Sequence, residues 1–137
     1  MIVADTSGLL ALFNRREPAH QAVRDIVAAE TEPLVVSPFV VAEFDYLVST
    51  RLGTEAELAV LAELAGGAYR LAAVPAETLD RARSVVEQYR DQRIGITDAS
   101  LVVLAEQFGT RSVLTLDRRH FEALRPLNGG RFQLLPA

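Results

Sequence analysis

The sequence predicts an α/β protein: a three-layer α/β/α arrangement around a central parallel sheet. Short apolar, β-branched runs alternate with longer stretches of helical periodicity, the pattern of repeated strand-helix-strand units. Half of the 137 residues are apolar, enough for a sizeable core. No internal repeat, linker or low-complexity tract interrupts the alternation, so residues 1–137 are expected to form a single domain.

The elements follow in order. Ile2–Ala4 is an apolar strand, and Ser7–Phe13 a helix with Asp5 or Thr6 as its cap. Pro18–Ala29 reads as a second helix with Pro18 near its start. Leu34–Val36 is a β-branched strand. Ser37 and Pro38 then serve as N-cap and first helical residue of a helix to about Thr50, with Gly53 just past its end. Thr54-Glu55-Ala56-Glu57 has the form of a capping box, opening a helix that ends near Gly66-Gly67. Tyr69–Val74 is a strand, weakened by Ala72 and Ala73, and Pro75 opens a helix to about Tyr89. Gln92–Ile96 is a loop before a helix over Thr97–Phe108, closed by Gly109. Ser112–Leu116 is a strand, Arg118–Leu124 a short helix, and Phe132–Leu135 a last strand after Asn128-Gly129-Gly130.

Composition removes several chemistries. There is no cysteine, which excludes disulfides, thiolate metal sites and cysteine nucleophiles. Two histidines, His20 and His120, are too few for a typical zinc enzyme site; His20 is expected on an exposed helix start and His120 to be structural or surface-exposed. All 14 basic residues are arginine, so any mechanism that needs a lysine is excluded. The net charge of −4 argues against broad non-specific nucleic-acid binding. No apolar run approaches the roughly 18 residues of a membrane span, and no signal-peptide pattern opens the chain. A cytoplasmic protein without membrane contact is expected.

Four carboxylates then stand out. Asp5 and Asp117 each follow a predicted strand, while Glu43 and Asp98 each interrupt an apolar helical pattern. In open parallel sheets, ligands bind beyond the carboxyl ends of the strands, where strand order reverses. If the first and fourth strands are neighbours, Asp5 and Asp117 emerge at one edge. Glu43 lies in an almost wholly apolar helix and must reach a partner or a metal, because burying it alone is costly. Asp45 lies about 200° around that helix and should not share the site. Each acid alone has an ordinary structural reading: Asp5 and Asp117 as helix caps, Asp98 as a first-turn acid, Glu43 as an arginine's partner. Together they suit Mg²⁺, with Mn²⁺ as a substitute, held against a phosphodiester. Arg15, Arg16, Arg90, Arg93, Arg118 and Arg119 are candidate phosphate contacts.

Three segments, VADTSGLLALF, SPFVVAEFDYLV and GITDASLVVLAEQFGTRSVLTLDRRHF, resemble the PIN-domain ribonucleases, most closely the VapC toxins of type II (VapBC) toxin–antitoxin systems. The resemblance covers nearly the whole chain in order. It implies a sheet of order 3-2-1-4-5, and it makes Asp5, Glu43, Asp98 and Asp117 a metal-binding catalytic quartet, with Ser7 supporting the first acid. It implies Mg-dependent hydrolysis of RNA, tRNA or rRNA, by metal-activated water, and inhibition by a VapB-like antitoxin. It also implies a homodimer. The outer side of the Pro38–Thr50 helix with the Thr54–Ala65 helix is the expected antitoxin surface; Val103, Leu104, Phe108, Phe121 and Leu124 are the expected dimer surface. Haloacid-dehalogenase-type phosphatases and phosphoacceptor receiver domains fail on the missing lysine and missing second acid; a non-enzymatic PIN-like binding module survives as the rival.

Overall fold

Val3, Ala4, Val35, Val36, Val113 and Leu114 are completely shielded from solvent, as strands covered on both faces must be. The computed structural model describes residues 1–137. Its strands are β1 (Val3–Ala4), β2 (Val35–Val36), β3 (Arg70–Leu71), β4 (Ser112–Leu114) and β5 (Gln133–Leu135). They form one parallel sheet in the order β3-β2-β1-β4-β5, the order that the family resemblance implies. In register, Val3 lies opposite Val35 on one side and Val113 on the other. The period of two sorts the side chains: Val3, Val35 and Val113 enter one core, while Ile2, Ala4, Leu34 and Leu114 enter another. Two cores on opposite faces make the three layers.

The helices are α1 (Thr6–Phe13), α2 (His20–Ala29), α3 (Pro38–Leu52), α4 (Thr54–Ala65), α5 (Ala76–Gln88), α6 (Ile96–Gln107) and α7 (Arg118–Ala123). None is long and apolar enough to cross a membrane. Ser37 caps α3 as its sequence position suggests, its Oγ accepting from the Phe39 amide at 3.1 Å, with Pro38 following. The strands are shorter than the apolar runs that signal them, β3 most of all, because only the segment opposite β2 finds backbone partners.

Three expectations fail for identifiable reasons. The Thr54-x-x-Glu57 pattern is not a capping box: Thr54 is already helical, and Gly53, at φ +90°, ends α3 and begins α4. One residue joins two helices only in a conformation that glycine adopts without strain. The expected dimer surface is absent. Val103, Leu104, Phe121 and Leu124 are buried, and the Arg70 guanidinium lies over the ring of half-buried Phe108 at 5.5 Å. Helix α6 is apolar all round because it is enclosed all round, from Ala99 to Ala105. His20 is half-buried rather than exposed, with its Nδ1 2.8 Å from the Ala11 carbonyl oxygen, tying α2 to α1.

Gly8 is where α1 meets the sheet. A Cβ there would stand 2.3 Å from the backbone oxygen of Leu114. An alanine in a helix interior normally gains about 1 kcal/mol over glycine, but this contact is with fixed backbone. Gly8→Ala is therefore expected to destabilise the protein by about 1–3 kcal/mol or more, read as a lower midpoint in urea unfolding. An unchanged or higher midpoint would mean that α1 is not seated on β4 so closely.

Candidate active site

The parallel pairing of β1 with β4 brings the two strand-end acids to one edge. The Asp5 amide donates to the Leu114 carbonyl at 2.9 Å, so Asp5 lies beside the chain that continues to Thr115 and Asp117. Asp5 holds the N-cap position of α1, and Asp117 that of α7, yet neither side chain makes a capping hydrogen bond. Both are free for another use. Asp98 lies in the first turn of α6 with its side chain 13% exposed. Together with Glu43 of α3 they line one cleft of about 330 Å³.

Asp5 is buried and held by two hydroxyls. Thr115 Oγ1 donates to its Oδ2 at 2.9 Å and Ser7 Oγ at 3.1 Å. Both hydroxyls are themselves fixed: Ser7 Oγ accepts from the Leu116 amide at 2.9 Å, and Thr115 Oγ1 from the Asp117 amide at 3.0 Å. Ser7 is thus where the resemblance puts it. Thr115 was not singled out in the sequence, because a threonine inside a β-branched run looks like any strand residue. Its signal is its position, two residues before Asp117.

Glu43 differs from expectation in one respect: it is exposed at the mouth of the cleft, not buried. Thr97 Oγ1 donates to it at 3.3 Å. Val40, Phe44 and Val48 supply the inward stripe of α3, which turns Glu43 toward solvent. Asp45 stays out of the cleft as expected, and its carboxyl raises that of Glu57 of α4. His120 is exposed, in keeping with expectation, but it also belongs to the site. It lines the cleft, with Nδ1 3.0 Å from Asp98 Oδ2 and 3.5 Å from Asp117 Oδ2. Its signal is the i,i+3 spacing from Asp117, which places both at one end of α7. None of the candidate arginines lines the cleft itself.

The electrostatics are those of crowded like charges. Burial raises the Asp5 carboxyl, hydrogen bonds from Thr115, the Thr6 backbone and Ser7 oppose it, and the Glu43 charge adds a little. Asp98 is pushed up to about 6, first by burial and next by the charge of Asp5; His120 opposes this, while Asp117 and Glu43 add to it. The donor chemistry, carboxylate oxygens without thiol, suits a hard divalent cation. Thr6 Oγ1, buried on the same wall, has no hydrogen-bond partner. No three of the acids and histidines stand close enough to hold one ion directly. An ion held by these residues would be held in part through its own waters.

Comparison with known proteins places the chain in a family. The PIN domain model matches residues 2–125. The chain belongs to the PIN-domain family. Within that family it falls in the VapC group: it is 57% identical over 135 residues to Ribonuclease VapC26 of Mycobacterium tuberculosis (strain ATCC 25618 / H37Rv), covering 98% of this chain and all of that one. Two solved structures share the fold. Mycobacterium tuberculosis VapC20, described as a sarcin-ricin loop cleaving toxin, superposes with a TM-score of 0.78 at 22% identity, covering 87% of this chain and 92% of that one. FitAcB from Neisseria gonorrhoeae superposes with a TM-score of 0.55 at 19% identity, covering 82% and 85%.

The raised Asp98 carboxyl has a thermodynamic consequence. Its protonated form is favoured in the folded chain, so this contribution to stability is complete below the ordinary carboxylate value of 3.8 and is lost as pH rises through about 6. In divalent-free buffer, Asp98→Asn should be more stable than the parent at pH 8, by about 1–3 kcal/mol. The advantage should vanish near pH 4. Urea unfolding at both pH values checks this; equal stability at pH 8 would show that neither burial nor the neighbouring acids disfavour the Asp98 charge there.

Proposed function

We propose that this protein is the toxin of a type II toxin–antitoxin pair, an endoribonuclease that depends on Mg²⁺ and acts in the cytoplasm. The carrying observation is that Asp5 and Asp117 occupy helix-cap positions without capping and instead line one cleft with Glu43 and Asp98. A cleft with four carboxylates and no arginine repels a phosphodiester unless a cation lies between. The 57% identity to a protein named a ribonuclease supports RNA as the substrate.

The roles follow from the surroundings. Asp5, Glu43, Asp98 and Asp117 would hold Mg²⁺, with Mn²⁺ as a substitute; the ion, when bound, offsets phosphate charge and lowers the pKa of water. Ser7 and Thr115 fix the carboxylate of Asp5 before substrate arrives, so orienting it costs little during the reaction. Thr97 orients Glu43. His120 partly balances Asp98 and Asp117. No side chain in this set is placed as a covalent nucleophile, which agrees with attack by water.

The test is cleavage of total tRNA and rRNA by purified protein, with EDTA, Mg²⁺ or Mn²⁺. Activity should require the metal and fall at least about a hundredfold in Asp98→Asn and in Asp5→Asn. Metal-independent cleavage would remove the mechanism. No cleavage of any RNA by folded protein would favour the non-enzymatic binding module instead.

Regulation belongs to the same proposal: a VapB-like antitoxin docks across the outer side of α3 and α4 and inhibits the nuclease. Support comes from the apolar side chains left in solvent there, Tyr46 (66% exposed), Leu52 (72%) and Leu58 (56%). A homodimer is proposed as the toxin's own state, formed through a surface other than the buried α6 and α7 residues. Light scattering on the toxin with and without the product of an adjacent antitoxin gene reads both. The toxin alone should have twice the monomer mass, and the saturated complex should lose RNase activity. A monomer at tens of micromolar would sink the dimer, and full activity in the complex would sink the inhibition.

A further inference from the structure

A second charged feature lies on the other side of α7. Arg118, Arg125 and Arg131 line a cleft of about 120 Å³ between α7 and β5. Its floor includes Phe121 and Phe132, which are buried and pack edge to face with centroids 6.1 Å apart. Of the acids only Glu122 lines it, 3.7 Å from Arg118 Nε and largely in solvent, which leaves two positive charges uncompensated. In a chain of net charge −4 this is a local reversal of sign.

The guanidinium groups are partly held in place. Arg125 Nη1 donates to the carbonyls of Glu122 (2.6 Å) and Leu124 (3.0 Å), and its backbone amide donates to the Tyr89 hydroxyl at 3.1 Å. Arg118 Nη1 donates to the Pro136 carbonyl at 3.1 Å. Arg131 is exposed and has no ion-pair partner within 4 Å. Planar guanidinium forks suit phosphate oxygens, and an anchored fork loses less freedom on binding. The buried rings cannot stack on bases, so the cleft suits backbone phosphate rather than base recognition.

Position decides between possible anions. Positions 118 and 122 share one side of α7 at 3.6 residues per turn, and Arg125, just past the extended Leu124 that ends the helix, lines the same cleft, while Asp117 lies about 100° away, on the side of the acidic cleft. Arg118 directly follows Asp117 in the chain. Helix α7 spans only about 9 Å, so one strand can reach both clefts. We infer that the Arg118–Arg125–Arg131 cleft is a phosphate subsite that grips single-stranded RNA beyond the point of cleavage. This rests on the ribonuclease reading and assigns the positive charge that the acidic cleft lacks.

The test uses full-length protein and two RNAs: a single strand of about 12 nucleotides, within the range that single-strand binders cover, and a dinucleotide too short to span both clefts. Binding is measured by anisotropy in Ca²⁺ over a salt series, and cleavage separately in Mg²⁺. Arg125→Ala with Arg131→Ala should weaken binding of the long strand about tenfold and flatten the log–log salt slope by about 1.4, at about 0.7 per phosphate contact. The KM for the long strand should rise with kcat unchanged, and dinucleotide cleavage should stay at the parent level. Because Arg125 also holds the end of α7, Arg131→Ala alone is the second variant, expected to show about half the slope change. Unchanged affinity and slope in both variants would overturn the subsite. So would a loss confined to antitoxin binding, which would make the cleft a dock for an acidic protein segment. A parent protein that binds the long strand without cleaving it would remove the ribonuclease reading while the binding arm still judges the subsite.

Discussion

The parallel pairing of β1 with β4 is the constraint on which the acidic cleft depends. It places the Asp5 amide on the Leu114 carbonyl and so sets Asp5 beside Thr115. The pairing needs α1 to lie almost on the backbone of β4, and Gly8 permits this because it has no Cβ to meet the Leu114 carbonyl. From there a short chain of hydrogen bonds runs between strand ends: Ser7 to Asp5, Thr115 to Asp5, and the amides of Leu116 and Asp117 to those same hydroxyls. A shift of one residue in the register would reverse which side chains face each core and would separate the two acids.

The cleft that results is electrostatically unfavourable by itself. Burial and like charge raise Asp5 and Asp98, and half-exposed His120 offsets only part of that. The fold tolerates this because the rest of the interior is apolar and well covered, with two cores on opposite faces of the sheet. Ordinary structural roles for these acids would have lowered their pKa values: a capping carboxylate accepts backbone amides, and a paired one has an arginine. A group kept in a strained electrostatic setting is a frequent sign of function.

Charge is also segregated. Several arginines are tied down in surface pairs, such as Arg83 with Asp80 and Glu87, or Arg81 with Glu106. Three gather instead beside β5, around one acid. A negative cleft and a positive one then share the six residues of α7 and their flanks. That division would serve the proposed function, in which a cation and a polyanion are held at once without nucleic acid being drawn to the whole surface.

Local chemistry made much of this legible in the chain. Alternating apolar runs, Ser37-Pro38 and the terminal glycines mark the elements because periodicity and capping are short-range effects. The four acids were visible because two follow strands and two interrupt helices. The strand order came from family resemblance, since which strands pair is a long-range matter that no local pattern records. Tertiary structure alone decided the rest. It showed that α6 is enclosed on every side, so that Val103 and Leu104 belong to the core rather than to an interface. It turned Glu43 outward, seated His120 between Asp98 and Asp117, and gave Thr115 its place under Asp5. Each of these depends on which surfaces meet across the sheet. A side chain's residue type is local, but its burial and partners are set by residues distant in sequence, here as far as the 110 positions between Asp5 and Thr115.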